Sequence, residues 1–168
     1  MERLEKIGKM RSMKEKQELD QIVDCYKEYL GDHLISMILF GSHARGDEKE
    51  TSDYDLFIIS EGLPSRPFQR VLFIRKPLMG QFEQKFCIVA KTPKEVLKDF
   101  PPLFLDIGLD GILLFDRNDF FKKLQERIKE IIDQAGLQRK RANKEFYWEW
   151  QKPPKKGWEI TWSGYREL

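Results

Sequence analysis

Two apolar runs separated by one polar loop constrain this chain more than any other feature. His33 to Phe40 is mostly apolar and reads as a buried strand that stops at Gly41-Ser42. Asp53 to Ile59 reads as a second strand, and GSHARGDEKETS, residues 41–52, is the polar, glycine-punctuated loop between them. Successive strand side chains point to opposite faces, so Asp53 and Asp55 project together while Tyr54 and Leu56 go the other way. Two carboxylates about 7 Å apart along one strand face repel each other. A divalent cation resolves that repulsion, because hard cations such as Mg²⁺ prefer oxygen ligands.

Gly41-Ser42 ends the first strand where a short helix, Ser42 to Arg45, can begin. A helix start offers free backbone N–H groups and a positive dipole end to an anion. Gly41 lets a phosphate approach the backbone closely, and the Ser42 hydroxyl adds a donor. Phosphate donors followed by metal-binding carboxylates are what a nucleoside triphosphate with its metal requires. Arg45 can reach a phosphate from the first turn.

The remaining pattern predicts an α+β fold with one small mixed sheet and helices packed on it. Ser12 followed by Glu15 forms a capping box, and Leu19, Ile22, Val23, Tyr26 and Leu30 recur at helical spacing, predicting a helix over 13–30. A helix over 65–78 is drawn on Phe68, Val71, Leu72 and Arg75 and broken by Pro77. A third strand fits Gln84 to Lys91. Thr92-Pro93-Lys94-Glu95 is the clearest helix start, and Pro101-Pro102 ends that helix. Gly111 to Phe115 fits a fourth strand. Asn118 or Asp119 then caps a helix with Phe121, Leu124, Ile128, Ile131 and Ile132 on one stripe, stopped by Gly136.

Three segments are expected: an N-terminal helix over 1–31, a central domain over 32–136, and a basic, aromatic extension over 137–168. The extension holds all four tryptophans. Trp158-Glu-Ile-Thr-Trp162 alternates as a half-buried strand, so the favoured reading is a hairpin-like tail packed on the domain, with Pro153 to Gly157 as a turn between two strands. Nucleic-acid binding by its interleaved cations and rings is the less favoured alternative.

Charged residues make up 35% of the chain at a net charge of +2, which fits many surface ion pairs and does not by itself imply polyanion binding. No apolar run approaches the roughly 20 residues of a membrane span, and the first twenty residues are too charged for a signal peptide. Cys25 and Cys87 form no metal-ligand pattern, and a cytoplasmic protein with reduced thiols is expected. His33 and His43 lack ligand spacing and read as solvated or hydrogen-bonded.

Gly-Ser, ten residues, then Asp-x-Asp resembles the signature of the DNA polymerase β-like nucleotidyltransferase superfamily. Ala44-Arg45-Gly46 and Ser52 look like its minimal, stand-alone members. The resemblance covers about residues 34–115 and implies transfer of a nucleoside monophosphate, AMP being expected, from an NTP such as ATP to a hydroxyl. It implies metal ions, Mg²⁺ or Mn²⁺, held by Asp53 and Asp55, with Gly41 and Ser42 on the phosphates. The family carries a third carboxylate just before the T-P-x-E helix start, and setting Thr92 to Glu95 against that pattern puts Cys87 in its place. Glu83 shares strand parity with Lys85 and Cys87, and a shift or bulge would let it serve as third ligand. The resemblance also implies an acceptor that is a partner protein, RNA or a small molecule, with a small helical protein as partner. A nucleotide-binding protein that docks its partner without turnover is the alternative.

Overall fold

The computed structural model describes residues 13–143 and 145–168. The expected cap at Ser12 lies outside them. The chain opens with helix α1 (Met13–Leu30), strand β1 (Leu34–Phe40), the short helix α2 (Gly41–Arg45), and strand β2 (Tyr54–Ser60). Helix α3 (Pro67–Arg75) leads to β3 (Phe86–Lys91), α4 (Pro93–Lys98), α5 (Leu103–Asp110) and β4 (Ile112–Asp116). The long helix α6 (Phe120–Ala135) is followed by β5 (Leu137–Ala142), β6 (Glu145–Trp150), β7 (Trp158–Thr161) and β8 (Gly164–Glu167).

The main sheet has the order β3-β2-β1-β4. β1 runs antiparallel to both neighbours and β2 parallel to β3, so the sheet is mixed and the α+β expectation holds. β1 and β2 are apolar at nearly every position because both faces are covered. Met37, Leu39, Leu56 and Ile58 meet the α1 stripe of Leu19, Ile22, Val23 and Tyr26 on one side. Ile38, Phe40, Phe57 and Ile59 meet α4, α5 and α6 on the other. Tyr26 is fully buried, and its hydroxyl donates to the Ile74 carbonyl at 2.7 Å, which satisfies the polar end of an otherwise apolar ring.

The structure redraws three expectations. The Phe68, Val71 and Leu72 stripe of α3 faces outward, at 74%, 49% and 52% exposure, and Ile74 turns into the core instead. An apolar stripe marks a helix without saying which side of it meets the core. Neither Asn118 nor Asp119 caps α6 with its side chain: both sit at positive φ (56° and 54°), and Asp119, at the N-cap position, makes no side-chain capping hydrogen bond. Asp116 reaches across from the end of β4, accepting from Phe121 N–H at 2.9 Å and Lys122 N–H at 3.0 Å. The Ser36 hydroxyl, itself fully buried, donates to the same carboxylate at 2.6 Å. Finally, the tail forms two separate hairpins, β5-β6 and β7-β8, with Pro153 to Gly157 linking them rather than turning inside one. An additional helix, α5, follows Pro102.

Thr92 forms the capping box read from its sequence. Glu95 N–H donates to the Thr92 hydroxyl at 3.3 Å and Thr92 N–H to the Glu95 carboxylate at 2.8 Å. Arg70 clamps that carboxylate in a fork at 2.8 and 2.9 Å. The Arg70 hydrogen bonds hold the Glu95 carboxyl at about 2, below its ordinary 4.5. A depressed folded-state pKa contributes stability above the unfolded value that is lost as pH falls toward the folded one. The urea midpoint is expected to fall between pH 4.5 and pH 2, and Glu95→Gln removes that part of the slope in unfolding curves taken across the window. Asp116→Ala removes a cap and strands the Ser36 hydroxyl, which should cost about 1–3 kcal/mol in urea denaturation.

Candidate active site

The loop at the end of β1 and the start of β2 meet because of strand register. Phe40 pairs with Asp55, so the residue after Phe40 lies against the Asp55 side chain. Gly41 takes φ +70°, and a Cβ there would stand 2.0 Å from Asp55 Oδ2. Only glycine fits this contact, both for its left-handed backbone and for the space. Ser42 follows in the first turn of α2, and Gly46, also left-handed, ends the helix by donating to the Ser42 carbonyl at 2.9 Å.

Asp53 immediately precedes β2, and Asp55 is its second residue, half-buried. Burial pushes the Asp55 carboxyl upward, the Asp53 charge adds to that, and a hydrogen bond from Cys87 with the charges of His43 and Arg45 opposes it. Cys87 is the register partner of Asp55 on the parallel strand β3. The thiol therefore sits beside the carboxylate pair, and burial with the nearby acids raises it above its ordinary 9.0. A thiol so raised stays protonated at neutral pH and is neither a base nor a ligand for a hard cation.

Glu83 lies at an exposed bend ahead of β3. Among the described residues no group of three His, Cys, Asp or Glu side chains is assembled that could hold a metal ion. Asp53 and Asp55 nevertheless fit a divalent cation in donor chemistry, since both offer hard oxygen and the Asp53 charge raises Asp55 where a cation would lower it. Phosphate oxygens of a bound triphosphate can supply the remaining ligands.

Two further contacts shape the loop. The His43 ring stacks on Tyr54 with centroids 4.2 Å apart, its Nδ1 lies 2.9 Å from Glu15 Oε1 and its Nε2 3.3 Å from the Ser52 carbonyl. His43 is thus a hydrogen-bonded wedge between α1 and the loop. Arg45 lies 3.2 Å from Asp47 and over the Phe146 ring at 4.8 Å. Arg139 and Arg141 also face that ring, at 4.6 and 5.1 Å, so the β5-β6 hairpin braces α2. Sequence reading missed Phe146, whose one signal was its place in an alternating aromatic run. Trp148 donates to Asp106 at 3.1 Å, and Trp162 to the Val96 carbonyl at 2.8 Å. These two indoles are packed on the domain, as the hairpin-like reading of the tail required, and do not form an open stacking platform.

A glycine-opened turn abuts paired carboxylates at the end of a buried mixed sheet, donor chemistry that suits a cation and an anion side by side. Residues 19–152 match the nucleotidyltransferase domain family. A candidate protein adenylyltransferase of Methanocaldococcus jannaschii is 38% identical over 119 residues, 68% of this chain and 80% of that protein. The chain belongs to the nucleotidyltransferase domain family and is a nucleotidyltransferase. Among solved structures, a chain of a toxin-antitoxin complex with AMP-PNP aligns at TM-score 0.47 and 19% identity, covering 68% of this chain and 95% of that one. A candidate nucleotidyltransferase from Sulfolobus solfataricus aligns at 0.41 and 20%, covering 70% and 89%. No helix among the described residues is long and apolar enough to cross a membrane.

Gly41→Ala is expected to destabilise the fold by about 1–3 kcal/mol through strain at positive φ and the clash with Asp55. Adding Asp55→Ala should return part of that loss, and a double-mutant cycle by urea unfolding reads the coupling. Asp53→Asn should lower the Asp55 pKa, because a like charge that raises it is gone; carboxyl ¹³C titration would detect a null or opposite shift.

Proposed function

We propose that the protein transfers AMP from ATP to a hydroxyl of a protein. The observation that carries this is the Gly41–Asp55 junction, which sets a glycine turn against the half-buried Asp55 and its neighbour Asp53. In this reading Gly41 and the Ser42 hydroxyl hold the β- and γ-phosphates, and Arg45 supports the turn from its far end. Asp53 and Asp55 hold Mg²⁺ or Mn²⁺, which supplies charge neutralisation at the α-phosphate. The acceptor oxygen forms a bond to the α-phosphorus, the bond to the bridging oxygen breaks, and pyrophosphate leaves. The acceptor's proton is lost to solvent, since Cys87 rather than an acid stands beside Asp55. The residues therefore act chiefly by positioning. The description of the archaeal relative as a protein adenylyltransferase supports the choice of nucleotide and of a protein acceptor.

A second reading has a specific observation in its favour. With a protonated thiol at the position beside Asp55, the site would bind nucleotide and turn over slowly or not at all, acting by docking its partner. One set of measurements separates the two. Mg·ATP binding by calorimetry is expected in both, and its loss on chelation or in Asp53→Asn tests the carboxylates. Transfer of labelled AMP, absent in Asp53→Asn and Asp55→Asn, is expected only for the enzyme. Cys87→Asp places an acid beside Asp55 and should raise turnover about a hundredfold, the low end of what a positioned base contributes. Unchanged or lower turnover in that variant would remove the thiol as the limiting feature.

A further inference from the structure

We propose that the groove between α3 and β3 docks the acceptor protein, through a segment with an apolar centre and acidic flanks that brings its hydroxyl to Asp53. This rests on the reading that a protein hydroxyl receives the nucleotide. The groove is about 610 Å³, is lined by Leu72, Met79, Phe82, Phe86 and Ile88, and has Asp53 in its wall. Four of the ten large exposed hydrophobics among the described residues, Phe68, Val71, Leu72 and Met79, lie on α3 or just after it. Single apolar side chains on a surface are ordinary, whereas a run of them beside a cleft marks an interaction face.

The charge around this face identifies its partner. Nine arginines are described, and Arg45, Arg70, Arg117, Arg127, Arg139, Arg141 and Arg166 each lie within 4.0 Å of a carboxylate. The two without an ion-pair partner among the described residues are Arg66 and Arg75, which bracket α3. Arg75 lines the groove together with Lys85. The other described arginines are neutralised within the protein; these two stand beside an exposed apolar face, which complements acidic residues around an apolar anchor. The partner is held through side chains rather than by strand addition. Arg75 donates to the Phe86 carbonyl at 3.1 Å and Arg70 to the Ala90 carbonyl at 3.4 Å, covering acceptors on β3, the edge strand. Leu72, Val71 and Met79 are aliphatic, and the groove's rings are engaged with each other, Phe82 edge-on to Phe86 and Phe86 stacked on Tyr54, which favours a protein over a nucleic acid.

The test is fluorescence anisotropy without ATP, using a labelled peptide of about 15 residues that alternates leucine and glutamate around one tyrosine, against its lysine counterpart and an oligothymidine. The acidic peptide is expected to bind at least about tenfold tighter than the lysine peptide, and Arg75→Glu, Leu72→Asp and Phe68→Asp should each weaken it about tenfold or more. All three positions are partly or largely exposed, and unchanged Mg·ATP affinity in each variant shows that fold and nucleotide site persist. Equal binding of the two peptides, or binding that survives all three substitutions, overturns the proposal. So does tight oligothymidine binding that is lost in Arg75→Glu, which would assign the cations to nucleic acid. Because binding is read without nucleotide, a selective groove in a protein that labels no hydroxyl would refute the transfer reading and leave the docking face standing. AMP transfer in a protein whose groove shows no selectivity would do the reverse.

Discussion

The covering of β1 and β2 on both faces governs where this protein can carry chemistry. A charged group in the middle of either strand would be stranded in one core or the other at a cost of several kcal/mol. The fully buried polar side chains in these strands are Ser36 and Ser60, and each hydroxyl is hydrogen-bonded, to Asp116 and to the His33 carbonyl. Charge is thereby expelled to the strand ends, and at one end the Phe40–Asp55 register brings a glycine turn against a carboxylate. A slip of one residue would exchange the faces of β2, sending Tyr54 and Leu56 out of the α1 core and Asp55 into it. The apolar pattern that folds the sheet is the same pattern that aims the candidate site.

The C-terminal hairpins extend that logic to the loop. Trp148, Trp150 and Trp162 pack into the core face opposite α1, and Arg127 ties the last turn down by donating to the Trp162 and Ser163 carbonyls at 3.1 and 2.7 Å. With the tail fixed, Phe146 stands where three guanidiniums converge, and one of them is Arg45 at the end of α2. A five-residue helix has little stability of its own, since nucleation outweighs its few hydrogen bonds. Phe146, Asp47 and the His43–Tyr54 stack supply what the short helix lacks. The tail thus packs on the domain, the reading favoured from its alternation, and part of it holds the loop that carries α2.

What could be read from the residues alone depended on whether the deciding interaction was local. The α1 spacing, the Thr92–Glu95 box, and the Gly136 stop are contained within a few positions, and each stands in the structure as expected. The Asp116 cap was not legible, because it reaches over two left-handed residues that themselves looked like the cap. The outward face of α3 was hidden for a different reason: Phe68, Val71 and Leu72 have the period of a buried stripe, and only tertiary packing shows that Ile74 is the residue turned inward. β5 was unreadable as a strand, since LQRKRA carries its cations on an open hairpin where burial imposes little alternation. That Cys87 stands in the third carboxylate's place was legible only through the family resemblance of Thr92 to Glu95, and its register opposite Asp55 comes from the parallel pairing of β2 and β3.

That cysteine bears on stability as well as on rate. Asp55 is already pushed upward by burial and by Asp53, so its ionised form is disfavoured in the folded chain whenever no cation is bound. A group with a raised carboxyl pKa favours folding less once pH rises through its unfolded value, and a third acid at position 87 would deepen the effect by adding another like charge at the same register. A thiol there does the opposite, donating a hydrogen bond to Asp55 without bringing a charge. Under the proposed function, this two-acid site would become fully favourable only when a cation and a polyphosphate enter together. Coupling of that kind would make nucleotide binding a contributor to fold stability, because a ligand that binds only the native state shifts unfolding by mass action. In the proposed transfer the weight of activation would then fall on positioning, the part of catalysis that Gly41, the braced α2 helix and a docked acceptor would supply.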